Sequence, residues 1–160
     1  MKTSPLQLEH YFVSDLHFAV NQAFDTTKKA DLSDDQFVVD AALLRDEKSP
    51  DKWQVTLRVK HQPTASANAP YSFTVEVVGF LHVLPTYAHD KERLVRTNGP
   101  TILYGIAREV IRNVTSSGPH RGVLIPSVSF FEPLPAPATP AATAPSVAPI
   151  QSSEATPKPS

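Results

Sequence analysis

Apolar and polar side chains alternate in four stretches of the first 80 residues, and this period of two predicts β-strands. The clearest stretch is 53–60, WQVTLRVK, in which every odd-numbered residue is apolar, and 71–77, YSFTVEV, alternates in the same way. Segments 11–20 and 37–44 follow the pattern less strictly, with Ser14 as a polar exception on the apolar side of the first. Polar connections separate the strands, so we expect a four-stranded antiparallel meander.

After the strands, apolar residues recur at spacings of three and four, which predicts a helix. Asp90 is a suitable N-cap for a short helix over 91–97, and Asn-Gly-Pro at 98–100 interrupts it because proline removes an amide donor. The main helix then covers 101–117 and is capped by Gly118. Its apolar stripe consists of Leu103, Ile106, Ala107, Val110 and Val114, widened by Ile102 and Ile111.

These elements indicate an α+β fold in which a four-stranded antiparallel sheet is packed by one long helix, broken at Gly-Pro. The folded domain is expected to cover residues 7–132. Half of the 16 prolines lie beyond it, among alanine, serine and threonine. Such a composition buries too little apolar surface to offset the entropy of ordering, so residues 133–160 are predicted to be a disordered tail.

One helix covers only one face of a sheet, and several apolar residues are left over for the other face or the rim. These residues are Val38, Leu44, Val78, Phe80 and Ile111. Large exposed apolar patches usually mark surfaces that bind partners. We therefore expect association between copies of the chain, with closed symmetry.

The composition excludes several classes of function. The chain has the 160 residues of one ordinary domain and a formal net charge of −1, so it has no general attraction to nucleic acids or anionic membranes. It has no cysteine, which excludes disulfides, a thiol nucleophile and a thiolate metal site. No apolar run approaches the roughly 20 residues that span a bilayer, and no secretory signal is recognised at the N-terminus. We expect a cytoplasmic protein that neither inserts into membranes nor binds nucleic acid.

No catalytic, metal-binding or cofactor-binding motif is recognised. The six histidines show neither a helical pair spacing nor a carboxylate at a metal-ligand spacing, and the isolated glycines form no phosphate-binding loop. A serine pair at the helix end lacks the surroundings of a nucleophile. These patterns favour a protein that is not an enzyme and that needs no metal or cofactor.

The helix and the segment after it carry a specific pattern. It consists of NGPTILY at 98–104, Ala-Arg-Glu at 107–109, a Ser-Gly helix end at 117–118, and VLIPSVSF at 123–130. Together with the strands at 11–18, 55–59 and 73–77, which occur in the matching order, it resembles the SecB family of protein-export chaperones.

This resemblance implies the SecB fold and an ATP-independent holdase that keeps preproteins unfolded for the SecA translocation motor. It also implies a homotetramer, a dimer of dimers with the long helices packed between the dimers. The corresponding interface residues are Ile102, Leu103, Ile106, Val110, Ile111 and Val114. Candidates for client contact are Val123, Leu124, Ile125, Phe130 and Phe131, followed by Phe37 and Phe80.

The chain departs from the family pattern in two places. The prolines that follow residue 132 forbid the family's second helix, and no cysteine or acidic cluster follows that could engage SecA. On the sheet, Asp15 and Glu76 match members of the family's acidic SecA contact, whereas Ala19 stands where a further carboxylate is expected. Of the family's two SecA contacts, the resemblance thus implies the one on the sheet, through Asp15 and Glu76.

Two alternatives remain open. The chain could be a dedicated chaperone of a single partner such as an antitoxin, and preference for one client over a generic unfolded preprotein would distinguish that function. It could also be an enzyme or binding protein for a small ligand, for which turnover or saturable binding by the pure protein would be diagnostic.

Overall fold

The computed structural model describes residues 3–130. Its elements are β1 (Leu6–Val20), a short 3-10 turn (Asp34–Gln36), β2 (Phe37–Arg45), β3 (Lys52–His61), β4 (Tyr71–Val83) and α1 (Lys91–Ser116). The predicted combination of a four-stranded antiparallel sheet with one helix is confirmed. The predicted tail (133–160) and Phe131 lie outside the described residues, so the tail remains a prediction.

The order of the strands differs from the predicted meander. Strands β2, β3 and β4 follow one another as neighbours, but β1 pairs with β4, which gives the order β1-β4-β3-β2. Because β1 and β2 lie at opposite edges, the connection 21–36 must span about 14 Å, the width of three strand spacings. The meander prediction was wrong because a polar connection of this length permits a crossover as easily as a hairpin.

The irregular sequence pattern of β1 results from two register shifts in its pairing with β4. Its pairing with β4 shifts between Leu8 and His10 and again between Val13 and Asp15, at Ser14. Directly opposed residues share a face of an antiparallel sheet. The bulge therefore places Phe12, opposite Val78, on the other face from Leu16, and the predicted single apolar side of this strand was wrong.

The core lies between α1 and one face of the sheet. In β3 and β4, the alternation read from the sequence selects the buried side chains, from Trp53 to Val59 and from Tyr71 to Val83. From the helix, the buried residues recur mainly every four positions: Val95, Gly99, Leu103, Ala107, Ile111 and Thr115, joined by Pro100 and Tyr104. Of the predicted stripe, Leu103, Ala107 and Ile111 are buried as expected, whereas Ile102, Ile106, Val110 and Val114 are only half-buried at its edge.

The helix is continuous through Pro100, contrary to the predicted interruption. Its N-cap is Asp90 as predicted, with the carboxylate accepting from the Arg93 amide at 3.0 Å. Proline lacks the amide that would bond to the preceding turn, but Gly99 and Pro100 are both buried against the sheet. Packing of this buried face compensates for the lost hydrogen bond, so tertiary context overrides the local preference of proline.

The C-terminal end of the helix also differs from expectation. The C-cap residue is Ser117, and no glycine among the described residues has a positive φ, so Gly118 does not form a left-handed cap. Its small size serves another purpose, because a Cβ at this position would lie 2.7 Å from the Tyr71 hydroxyl. A glycine lets the end of the helix approach β4 closely.

Candidate functional site

The residues after the helix, 119–130, form no regular secondary structure, and we refer to them as the crossover segment. Tyr71 in β4 fixes its start: the hydroxyl lies 3.2 Å from the Thr115 carbonyl oxygen and 3.0 Å from that of His120. The same hydroxyl accepts the His120 amide at 2.9 Å. One buried side chain therefore joins the sheet, the helix end and the crossover segment.

Two further hydroxyls hold the middle of the crossover segment. The Val123 amide donates to the buried Thr115 Oγ1 at 2.8 Å, and this hydroxyl in turn donates to the Ile111 carbonyl at 2.7 Å. Tyr104 donates to the Pro126 carbonyl at 2.6 Å, and its ring meets that of Phe130 edge-on with a centroid distance of 5.9 Å. Strand β4 and helix α1 thus fix an otherwise irregular segment at several points.

These anchors decide which side chains of the crossover segment are accessible. Val123 and Ile125 are 4% and 1% exposed and belong to the core, so they cannot contact a client as predicted. Leu124 between them is 62% exposed, and Val128, which the sequence reasoning omitted, is 37% exposed. Phe130 is half-buried against Tyr104, and the predicted contact at Phe131 lies outside the described residues.

A cleft of about 630 Å³ separates the crossover segment from the connection between β1 and β2, and we call it the crossover cleft. Its lining combines apolar and basic residues: Phe24, Thr26, Lys28, Ala30, Leu32, Pro70, Pro119, His120, Arg121, Gly122, Val123 and Leu124. The ring of His120 contacts that of Phe24 at a centroid distance of 4.7 Å. Sequence reasoning treated residues 21–35 as a polar connection and therefore missed Phe24 and Leu32.

The two other predicted aromatic contacts lie elsewhere. Phe37 stacks on His61 and packs against the core at the β2 edge. Phe80 is on the sheet face away from the helix, the outer face, where it stacks on His10 at 4.4 Å and lies near Phe12. The fold therefore does not bring Phe37 and Phe80 together with Leu124.

The outer face carries its own cleft, of about 740 Å³, beside the β2–β3 turn. Phe80 and Leu44 contribute apolar surface to it, and Leu44 is 65% exposed. The rest of its lining includes acidic and basic side chains in similar numbers: Glu9, Asp46 and Glu47 with Arg45, Lys48 and Lys52. This outer cleft is therefore apolar in part but balanced in charge.

Asp15 and Glu76 lie side by side on the outer face, as their assignment to one acidic contact requires. Glu76 is already engaged: it accepts from Ser14 Oγ at 2.7 Å and forms an ion pair with Arg58 at 2.8 Å. The Ser14 hydrogen bond and the nearby guanidinium hold the pKa of Glu76 below its usual value. Asp15 is exposed and has no such partner among residues 3–130, so most of the available negative charge of the pair lies on Asp15.

Among residues 3–130, no group of three or more histidine or acidic side chains could hold a metal ion. Within the same range, no helix combines the length and the apolar character that a membrane crossing requires.

Comparison with family models assigns residues 1–133 to SecB, described as the preprotein translocase subunit SecB. The chain belongs to the SecB family. Comparison with curated protein sequences finds no significant match.

A similar fold is also found in the solved structure of a SecB-like chaperone. The chain is similar to the Rv1957 SecB-like chaperone of Mycobacterium tuberculosis, solved in complex with a ChAD peptide from the Rv1956 HigA1 antitoxin. The TM-score is 0.61 at 12% sequence identity, over 78% of this chain and 91% of that chain. A protein of unknown function from Streptococcus agalactiae matches with a TM-score of 0.43 at 17% identity, over 76% of this chain and 97% of that chain. Family and fold together support a chaperone role.

The residues predicted for a SecB-type oligomer interface separate into two groups. Leu103 and Ile111 are buried against the chain's own sheet, so they have no surface left for a second copy. The remaining residues lie half-buried on the flank of α1: Ile102, Ile106, Val110 and Val114. The interface prediction is wrong for the first two and remains a proposal for the other four.

A buried histidine lies at the end of β3. His61 stacks under Phe37, its Nδ1 lies 3.0 Å from the Tyr71 carbonyl oxygen, and its Nε2 lies 3.2 Å from Gln36 Oε1. The Gln36 amide nitrogen donates to Asp31 at 3.0 Å, which fixes the orientation of the amide. Both ring nitrogens therefore face acceptors, and a neutral imidazole can donate to only one of them. Burial lowers the pKa of His61, opposed by the Tyr71 hydrogen bond and the Asp31 charge.

We expect this histidine to make stability depend on pH. As the pH falls below the ordinary value of 6.5, the unfolded chain binds a proton before folded His61 does. The contribution of neutral His61 to the free energy of unfolding is therefore complete above pH 6.5, and it is lost as the pH falls toward the lower pKa of the folded state. Urea midpoints measured across this range should fall as the pH is lowered in the native protein, and the slope should be smaller in His61→Phe. The same slope in His61→Phe and in the control His17→Gln would contradict this role.

Proposed function

We propose that this protein is an ATP-independent holdase that binds non-native polypeptides and keeps them unfolded for export. The observation that carries the proposal is the crossover segment, which is held rigidly by Tyr71, Thr115 and Tyr104 and presents Leu124 beside an apolar cleft. Non-native chains expose apolar segments without a fixed shape, so an accessible apolar surface on a rigid support suits them.

The cleft and its exposed rim favour binding over catalysis. Its apolar residues offer contact area, and the side chains at its rim provide no arrangement of acid, base and nucleophile that would suggest a reaction. We propose that clients contact Leu124 and Val128 first, with Phe24 and Leu32 below them. Phe80 on the outer face and Phe37 at the β2 edge would contact only clients long enough to pass around the sheet.

We further propose that the protein acts as a homo-oligomer, a tetramer built from two dimers. Strand β1 is an edge strand of 15 residues, and Tyr11, Phe12, Val13 and Leu16 are all exposed on it. A long edge strand with exposed apolar side chains is usually paired with a strand of another chain or covered by another element. The half-buried residues on the flank of α1 can extend the same interface, and light scattering of the pure protein would report its mass.

The export partner is proposed to be SecA in the cytoplasm, with Asp15 as the main contact and Glu76 as a weaker one. Because Glu76 is paired with Arg58, its charge is partly neutralised before SecA binds. Asp15→Asn should therefore weaken SecA binding more than Glu76→Gln does, and isothermal titration would measure the difference.

A second candidate function is a dedicated chaperone of one partner such as an antitoxin. The similar mycobacterial SecB-like chaperone was solved with a peptide from an antitoxin, which favours keeping this alternative. A dedicated chaperone would bind one cognate segment far more tightly than a range of unfolded preproteins. Parallel affinity measurements on both kinds of client would therefore separate the two functions.

Leu124 provides the direct test of the holdase proposal. We expect Leu124→Ser to raise the concentration needed to suppress aggregation of a denatured precursor by about tenfold, the effect of losing one buried leucine contact. Leu124 is mostly exposed in the unliganded chain, so the urea midpoint should be nearly unchanged. No nucleotide is needed, and adding ATP should leave the result unaltered.

Leu44→Ser is the matched control because Leu44 is equally exposed but lies on the outer face. It should reduce suppression far less than Leu124→Ser does. If Leu44→Ser abolished suppression while Leu124→Ser had no effect, clients would bind on the outer face and the assignment to the crossover cleft would be wrong.

A further inference from the structure

We propose that the crossover cleft selects client segments in which apolar residues are flanked by acidic ones. This inference rests on the proposed holdase function and specifies the chemistry of the segment that the cleft binds. The occupant is a segment of a non-native client chain, held by apolar contacts in the cleft and by charge at its rim.

The apolar half of the cleft sets the first requirement. Phe24 and Leu32 from the β1–β2 connection face Leu124 from the crossover segment across a space of about 630 Å³. This volume is within the usual range of about 300–1,000 Å³ for binding pockets. A client segment without a large apolar side chain would leave the cleft unfilled, so at least one such residue is required.

The charges at the rim set the second requirement. Lys28, His120 and Arg121 line the cleft, and no carboxylate among residues 3–130 does. The Arg121 side chain is exposed and has no ion pair within residues 3–130. Lys28 has only the exposed pair with Asp25, 3.2 Å away, and such pairs exchange readily.

Two of the four acidic residues of the neighbouring connection, Asp25 and Asp31, are engaged locally, and the other two, Asp34 and Asp35, do not line the cleft. Asp25 accepts from the amide and the hydroxyl of Thr27, at 2.9 and 2.6 Å. Asp31 accepts from Ser33 and from the Gln36 amide nitrogen at 3.0 Å. These hydrogen bonds hold the two carboxylates within their own turns, so Arg121 remains available to an anionic client group. The outer cleft, with its balanced charge, gives no such preference.

Three fluorescent peptides with the same apolar centre test the proposal: one flanked by aspartate and glutamate, one by lysine and one by serine. With the full chain, anisotropy should show the acidic peptide binding about fivefold tighter than the serine peptide, the effect of two or three exposed ion pairs, and the lysine peptide weakest. The differences should shrink at about 0.5 M salt, where the screening length falls to about 4 Å.

Arg121→Gln should remove most of the preference for the acidic peptide and leave the affinity of the serine peptide unchanged. Arg93→Gln is the matched control: this exposed arginine at the start of α1 does not line the cleft and should have no effect. Leu124→Ser should weaken all three peptides by the same factor, because it removes apolar contact and no charge.

Each other outcome overturns the inference in a distinguishable way. Equal affinity for the three peptides, with aggregation suppression intact, would refute the preference for acidic segments but would not contradict the holdase function. Failure of every peptide to bind, together with loss of suppression, would remove both. Displacement of the probe by a synthetic peptide of residues 131–160 would identify the chain's own tail as the occupant. A fall in oligomer mass in Arg121→Gln would identify a second copy instead.

Discussion

We expect Leu103→Ala to lower the free energy of unfolding by about 3 kcal/mol, a large effect for a single truncation. Leu103 is fully buried between helix and sheet, and it fills the space above Gly79, where an added Cβ would lie 2.5 Å from Leu103 Cδ2. Alanine would leave a cavity there that the rigid sheet cannot close. Urea denaturation at one fixed protein concentration measures the loss, because oligomer assembly shifts apparent stability.

Ile102→Ala is the matched control, since it truncates a neighbouring residue on the half-buried flank of α1. It should cost about 1 kcal/mol or less within the protomer. Light scattering should show instead that it weakens assembly, which Leu103→Ala does not do directly. An equal loss of stability in the two variants would contradict the assignment of one residue to the core and the other to the interface.

Tyr71→Phe is the second substitution with a large expected effect, and it removes only one oxygen. The hydroxyl accepts from the His120 amide and shares its single proton between the carbonyl oxygens of Thr115 and His120. Its loss leaves the part-buried amide and carbonyl of His120 without this partner, whereas the Thr115 carbonyl keeps the Gly118 amide at 3.1 Å. We expect a destabilisation of about 2 kcal/mol. We also expect faster amide hydrogen exchange at the start of the crossover segment, and weaker client binding, because the segment that presents Leu124 loses its anchor.

Tyr87→Phe separates the loss of a hydroxyl from the loss of this anchor. Tyr87 follows β4, and its hydroxyl forms no hydrogen bond within residues 3–130. The control should leave the urea midpoint, exchange rates and client affinity unchanged. If exchange in the crossover segment were equally slow in Tyr71→Phe and the native protein, Val123 and Pro126 alone would hold the segment.

The central strands could be predicted from the sequence because one face of each meets the core and the other meets water. In β3 and β4, that environment forces the alternation of apolar and polar residues that the sequence shows. Strand β1 could not be predicted to the same detail. It lies at an edge, its bulge at Ser14 is set by pairing with β4, and apolar residues are exposed on both of its faces.

The helix shows a related limit. Its existence, its N-cap at Asp90 and part of its buried face follow from local sequence, but Ile106, Val110 and Val114 lie at the edge of that face rather than within it. Gly99, Pro100 and Thr115 are buried although none is a typical core residue. At Gly99 and Thr115 the sheet residues Val55 and Tyr71 come close, and only the packed structure reveals this proximity.

For the candidate site, the sequence by itself determined that residues 123–125 are apolar, that they follow a helix end, and that the chain resembles SecB. Only the tertiary structure decided which of these side chains is offered to a partner. Hydroxyl groups of Tyr71, Thr115 and Tyr104, contributed by two other elements, turn Val123 and Ile125 inward and leave Leu124 outside. The reason is physical. An irregular segment has no ladder of backbone hydrogen bonds of its own, so its orientation is set by hydrogen bonds to distant residues, which the local sequence pattern does not reveal.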